Sequence, residues 1–297
     1  MIKRSLFTLL LALGVLLNAC SAPPSATPTP HLSPSPSLTP FQPSPTPIPL
    51  AAVVNGTPIP LADFQAEYAR FQAAVAQVGT ELAPKTPEAV VLDDMIDRLL
   101  LAEGARENGY TPPDDDALWQ QAAEEAGGEK ALQTFLQQQG YLKTDFLTAL
   151  REARAATWMV RFIAQQVPQE AEQVHAYQVL VYNEQEAKNI LLRLQQGEKF
   201  EALAAAYDPQ GRGDLGWFPR GYLTQPAVEE AAFALKVGEV SGIIHTALGY
   251  HIIKVVGREV RPLSPDARQR LQQAAVQDWL RTRRQQSTIQ ILLTPTP

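Results

Sequence analysis

Few residues in this 297-residue chain could do chemistry: it holds four histidines and one cysteine. A single Cys20 excludes an intrachain disulfide and a four-cysteine zinc site. No His/Asp/Glu cluster has metal spacing, and the fingerprints of a nucleophile elbow, a phosphate loop or a dinucleotide fold are absent. His31 lies in a proline-rich stretch, and His245 sits at a strand end before Gly249, where it either rims a site or is simply solvated. The densest patterning falls elsewhere. Gly213-Asp214-Leu215-Gly216-Trp217-Phe218 is followed by Arg220-Gly221, then by Glu229–Leu235, Gly238–Ser241 and Gly249–Val255. His251 lies inside the last of these, in a strand-like apolar run.

In content, order and spacing these segments resemble the parvulin-type peptidyl-prolyl isomerases over about residues 172–258. The resemblance implies an antiparallel sheet with flanking helices. It also implies a modest chemical task. Rotation about an X-Pro bond faces a barrier of about 18–20 kcal/mol because amide resonance must be broken, and takes about 10–100 s uncatalysed. A catalyst need only hold the twisted amide better than the planar one. An apolar pocket with few donors does this without a nucleophile, metal or cofactor. The family pattern has two histidines on adjacent strands, a Cys or Asp beside them, and an apolar wall for the proline ring.

Carried onto this chain residue by residue, the pattern is partly altered. His251 stands at the second histidine, a position where, in the family it resembles, a structural role inside the sheet and the active-site role coincide. The first is replaced by Gln178, in Ala176-Tyr177-Gln178-Val179-Leu180. A neutral amide can donate and accept, and so hold His251 in one tautomer, but cannot carry an imidazolium charge. His175, three residues earlier, points to the opposite face unless a bulge intervenes. The loop from Tyr207 to Asp214 is shorter than the family's. Asp208 is the nearest match for its Cys or Asp, and a loop or helix-end carboxylate is an equal reading. Leu215, Leu223, Val228 and Phe233 form the expected substrate wall, with core packing an equal reading for Phe233. Val228 stands where a Phe is common, and Thr224-Gln225-Pro226 holds one extra residue.

The elements that must position these residues can also be read. Ala52–Ile59 is apolar around an Asn55-Gly56 turn, a hairpin signal. Leu61, Phe64, Tyr68, Phe71, Val75 and Val78 make a helical stripe, and Thr86-Pro87 opens a second helix. Further helices are expected near 114–126, 129–138 and 144–166, with Ser264-Pro265 starting the last and a short strand at Ile289–Leu292. Val53-Val54-Asn55-Gly56, Leu92–Asp97 and Gln139-Gly140-Tyr141 resemble, in that order, the N-terminal region of SurA/PrsA-type foldases. That likeness implies that the C-terminal helix and strand return to the N-terminal helices.

At the N-terminus Lys3 and Arg4 precede an apolar run, Leu6–Leu17, too short for a membrane span and suited to an export signal. Leu17-Asn18-Ala19-Cys20 resembles a bacterial lipobox, with Asn18 a departure; an ordinary cleaved signal is the alternative. Residues 21–50 contain eleven prolines and ten Ser/Thr with no charged residue. This composition favours an extended, unpacked tether.

The expected organisation is α+β: a signal (1–20), a tether (21–50), a helical region (51–170), a parvulin-like antiparallel sheet with flanking helices (171–260) and a C-terminal helix and strand (261–297). The parvulin unit is inserted in the helical, chaperone-like one. A net charge of −6 without a basic run offers no nucleic-acid surface. The expected partners are unfolded or proline-containing exported polypeptides, and a membrane reached through the lipid on Cys20. The expected activity is prolyl isomerisation assisting the folding of exported proteins outside the cytoplasmic membrane, without cofactor or metal. The alternative is a non-catalytic chaperone or peptide-binding module.

Overall fold

The structure, a computed structural model, describes residues 48–78 and 86–293. The export signal, Cys20 and most of the tether lie outside the described residues. Strands β1 (Leu50–Val54) and β2 (Thr57–Pro60) form a hairpin. Asn55 and Gly56 both take positive φ, 50° and 86°, as a two-residue type I′ turn demands. Leu50, assigned from the sequence to the tether, is the first residue of β1 and pairs with Pro60 across a bulge.

Five helices follow: α1 (Leu61–Val78), α2 (Pro87–Glu107), α3 (Asp115–Glu125), α4 (Glu129–Gln139) and α5 (Lys143–Gln165). Their ends obey local chemistry. Thr86 and Asp114 accept hydrogen bonds from the amides of Ala89 and Ala117, and Gly140 closes α4 in the left-handed region. A second unit comes next, built from β3 (Glu170–Val181), α6 (Glu184–Gln195), α7 (Phe200–Tyr207), β4 (Asp214–Pro219), α8 (Pro226–Ala234), β5 (Ile244–Thr246) and β6 (Gly249–Pro262). The chain then returns as α9 (Pro265–Gln286), capped by Ser264, and β7 (Ile289–Ile291).

β7 pairs with β1, giving a small antiparallel sheet in the order β2-β1-β7. α9 lies against α2 and α5, where Trp279 and Ala275 pack on Ala105, Ala155 and Met159. A Cβ on Gly104 would sit 2.6 Å from the Trp279 ring, so glycine permits this helix contact. Arg284 fastens it, donating to Asp97 at 2.5 Å and Asp93 at 3.1 Å.

The second sheet is antiparallel in the order β4-β3-β6-β5. α6 and α7 cover one face through Ile190, Phe200 and Leu203 against Val179, Val181 and Ile252. α8 covers the other, against Val174, Ala176, Ile253 and Val255. β3 begins at Glu170, four residues before its apolar alternation. That polar start is held by the ladder to 259–262, and Gln173 stays buried because its Nε2 donates to the carbonyls of Arg261 and Pro262.

Candidate functional site

Alternation along β3 sends Val174, Ala176 and Gln178 to the α8 face and Tyr177, Val179 and Val181 to the α6/α7 face. In β6, His251 joins the α8 face with Ile253 and Val255. Gln178 pairs with Ile253, and Thr246 with Gly249, so both lie diagonally across from His251. The three side chains form one hydrogen-bonded row. His251 Nδ1 lies 3.2 Å from Gln178 Oε1, and Nε2 lies 2.8 Å from Thr246 Oγ1. The Leu248 amide donates to the same Thr246 oxygen at 3.1 Å.

The orientation of the Gln178 amide, with Oε1 toward His251, sets the direction of the row. Gln178 Oε1 can only accept, so Nδ1 carries the imidazole proton; Nε2 then accepts from the Thr246 hydroxyl. His251 is 2% exposed, and burial holds its pKa below the ordinary histidine value. The imidazole is therefore neutral at pH 7. The row is a set of aligned neutral dipoles.

Beside it lies an apolar cluster. Phe218, Val228, Ala232, Phe233, Ile253 and Val255 are buried, with Leu215, Leu223 and Ile244 half-buried at the margin. The four wall residues expected from the sequence thus share one cluster in two layers. Leu215 and Leu223 reach the surface, while Val228 and Phe233 form the packed layer beneath, Phe233 edge-on to Phe218 at 6.1 Å. Phe233 is buried within this cluster.

Comparison with known proteins matches residues 163–257 to the family model "Rotamase: PPIC-type PPIASE domain" and residues 39–159 to the "SurA-like N-terminal domain". The chain carries a PPIC-type PPIase domain. It is 33% identical to the foldase protein PrsA of Caldanaerobacter subterraneus subsp. tengcongensis over 58% of this chain, spanning 58% of that relative's length. It is 48% identical to the peptidyl-prolyl cis-trans isomerase ESS1 of Saccharomyces cerevisiae, over 24% of this chain and 46% of that one. A solved PrsA structure from Bacillus anthracis is 25% identical, covering 66% of this chain and 96% of its own, with a TM-score of 0.44.

Not every expected residue of the PPIase domain meets the row. The Asp208 carboxylate accepts from the amides of Gly211 (2.9 Å) and Gly213 (3.1 Å), and these bonds hold its pKa below the ordinary carboxylate value. Among the described residues it bonds to neither Gln178 nor His251. Its link to the site is indirect: Gly213 accepts from the Gln178 amide at 2.7 Å. Gly213 has φ 69°, and a Cβ there would fall 2.2 Å from the Gln178 carbonyl oxygen, so only glycine fits.

His175 stays off the site although the ladder is irregular at that point. The extra residues sit in β6, between Val255 and Gly257, and in β4, between Asp214 and Trp217, so β3 itself alternates undisturbed. His175 stacks on Tyr177 and bonds Asp214 at 2.8 Å, on the far face. His245 packs at a tilt on Tyr250, with ring centroids 4.7 Å apart, away from His251.

Two residues escaped the sequence reading. Thr246 completes the row, and only the β5–β6 register reveals it. Glu229 holds the loop that presents Leu223: its carboxylate accepts from the amides of Gly221 (2.6 Å), Tyr222 (2.9 Å) and Leu223 (2.9 Å). Its place in the first turn of α8 was the available signal.

Proposed function

We propose that this chain is a peptidyl-prolyl cis–trans isomerase and foldase for exported polypeptides. The observation that carries the reading is the neutral Gln178–His251–Thr246 row lying beside the Leu215/Leu223 apolar margin. Apolar side chains hold the proline ring, and no charge in the row favours the planar, more polar amide. The hydrogen bonds of His251 to Gln178 and Thr246 keep the dipoles set before the substrate arrives, so little reorganisation is needed as the amide twists. In this reading Asp208 acts through Gly213 on Gln178, and Val228 and Phe233 support the wall from below.

The foldase part rests on the SurA-like match and the PrsA likeness. Unfolded, proline-containing chains are the partners, met outside the cytoplasmic membrane. The Cys20 lipobox supplies a lipid anchor, and the Pro/Ser/Thr-rich segment is the spacer. Among the described residues no helix is long and apolar enough to cross a membrane. The helical N-terminal region and returning α9–β7 form the chaperone-like unit that carries the PPIase insert.

One observation favours a second reading. Gln178 replaces a family histidine, and a module that binds prolyl segments without turnover would tolerate that change. Exchange NMR on an X-Pro tetrapeptide separates the two. Slow, measurable exchange is expected from the native chain, with a rise of several-fold or less in Gln178→His. No exchange in either form leaves a binding module. For the anchor, Cys20→Ser should leave the membrane fraction, and a variant that stays there removes the lipid from the proposal.

A further inference from the structure

A cavity of about 390 Å3 lies between residues 222–224 and the first turns of α9. That volume is within the range of small-ligand sites. Leu223 is common to this cavity and to the apolar margin of the PPIase site, so the two adjoin at that residue. Asp266, Gln269, Arg270 and Gln273 line the α9 wall at a spacing that puts all four on one helix face. Thr224 faces them. Among the described residues none of these five side chains makes a hydrogen bond or ion pair, whereas Gln272, Arg281, Arg283 and Arg284 of the same helix are all engaged.

Both walls are held in place. Glu229 binds the amides of 221–223, and Leu271 packs on Gly221. The lining of the cavity discriminates among ligands. Asp266 and Arg270 offer opposite charges, so no anion or cation is favoured. Two glutamines and a threonine can donate and accept, which matches the alternating amides and carbonyls of an extended peptide. We propose that this cleft is a polypeptide subsite, binding through main-chain hydrogen bonds the residues that flank the proline seated at Leu223. The proposal rests on the isomerase site described above. It assigns α9, an element of the helical unit, to client recognition by the PPIase domain.

The test uses the full chain and two fluorescein-labelled peptides with one central X-Pro, a tetrapeptide and a decapeptide, read by fluorescence anisotropy. The native protein should bind the decapeptide more tightly. Gln269→Ala/Gln273→Ala should weaken that binding about five- to tenfold, the loss expected for two hydrogen bonds. Thr224→Ala on the opposite wall should act in the same direction. These side chains are exposed and unpaired, so an unchanged thermal transition will certify the fold. Decapeptide binding equal to native in both variants overturns the subsite, even if prolyl exchange is observed. Cleft-dependent binding without any prolyl exchange overturns the isomerase reading and leaves the subsite standing.

Discussion

At the residue scale, His251 explains why one glutamine can stand in a histidine position. The row needs an acceptor at Nδ1 and a donor at Nε2, and Gln178 and Thr246 supply them without charge. The same burial makes His251 a pH-sensitive element of stability. Its folded-state pKa lies below the ordinary value of 6.5. Above pH 6.5 the imidazole is neutral in both folded and unfolded chains and carries no penalty. As pH falls below 6.5 the unfolded chain takes up the proton first, so the folded state loses stability until the folded pKa is passed. Chemical denaturation from pH 7.5 to 5 should therefore show a midpoint that declines below pH 6.5, with a shallower decline in His251→Gln. An identical pH slope in the two proteins would remove His251 as the cause.

At the scale of elements, the site depends on a loop braced by a helix. α8 supplies Glu229 to the amides of 221–223, and its C-terminal end is closed by Arg258, which donates to the carbonyls of Phe233 (2.9 Å) and Leu235 (2.8 Å). Hydrogen bonds to a charged group contribute about 1.5–3 kcal/mol each, so the carboxylate outweighs any single apolar contact of that loop. Glu229→Gln keeps the shape and removes the charge. Its expected signature is local: hydrogen exchange at Gly221, Tyr222 and Leu223 faster by about tenfold or more, with β3 and β6 protection unchanged. A loss of protection across both strands would instead make Glu229 a determinant of the whole domain.

On the scale of the molecule, β7 ties the far end of the chain to its first strand, pairing Val54 with Ile289 and Ala52 with Ile291. Among the described residues, the buried clusters of the PPIase unit are drawn from 174–255 and include no residue of that sheet. Ending the chain at Ser287 exposes the β1 edge and removes the bond from the Asn55 amide to the Thr288 carbonyl (2.9 Å). Such a loss should lower the thermal transition of the helical unit by about 2–4 °C, the shift expected for about 1 kcal/mol in a domain of that size. The PPIase transition should keep its midpoint. Two transitions that fall together would show that the units unfold as one.

Sequence alone determined whatever rests on local chemistry. Asn55-Gly56 can turn only one way, Thr86-Pro87 and Ser264-Pro265 can only open helices, and the period-two pattern after Val174 makes a strand with Gln178 and His175 on opposite faces. The segments Gly213–Gly221, Glu229–Leu235, Gly238–Ser241 and Gly249–Val255 carried the resemblance to the PPIase domain, and Gly213 answers a backbone demand against the Gln178 carbonyl. Tertiary structure decided what depends on register and on contacts between distant segments. Thr246 meets His251 through hairpin pairing, Asp208 turns to the loop amides rather than to the row, and Val228 sinks beneath Leu223. The cleft on α9 needs residues more than forty positions apart, Thr224 and Gln269. Periodicity records which face a side chain takes. It carries no information on which other element that face will meet, because packing is settled by the sum of contacts made by the folded chain.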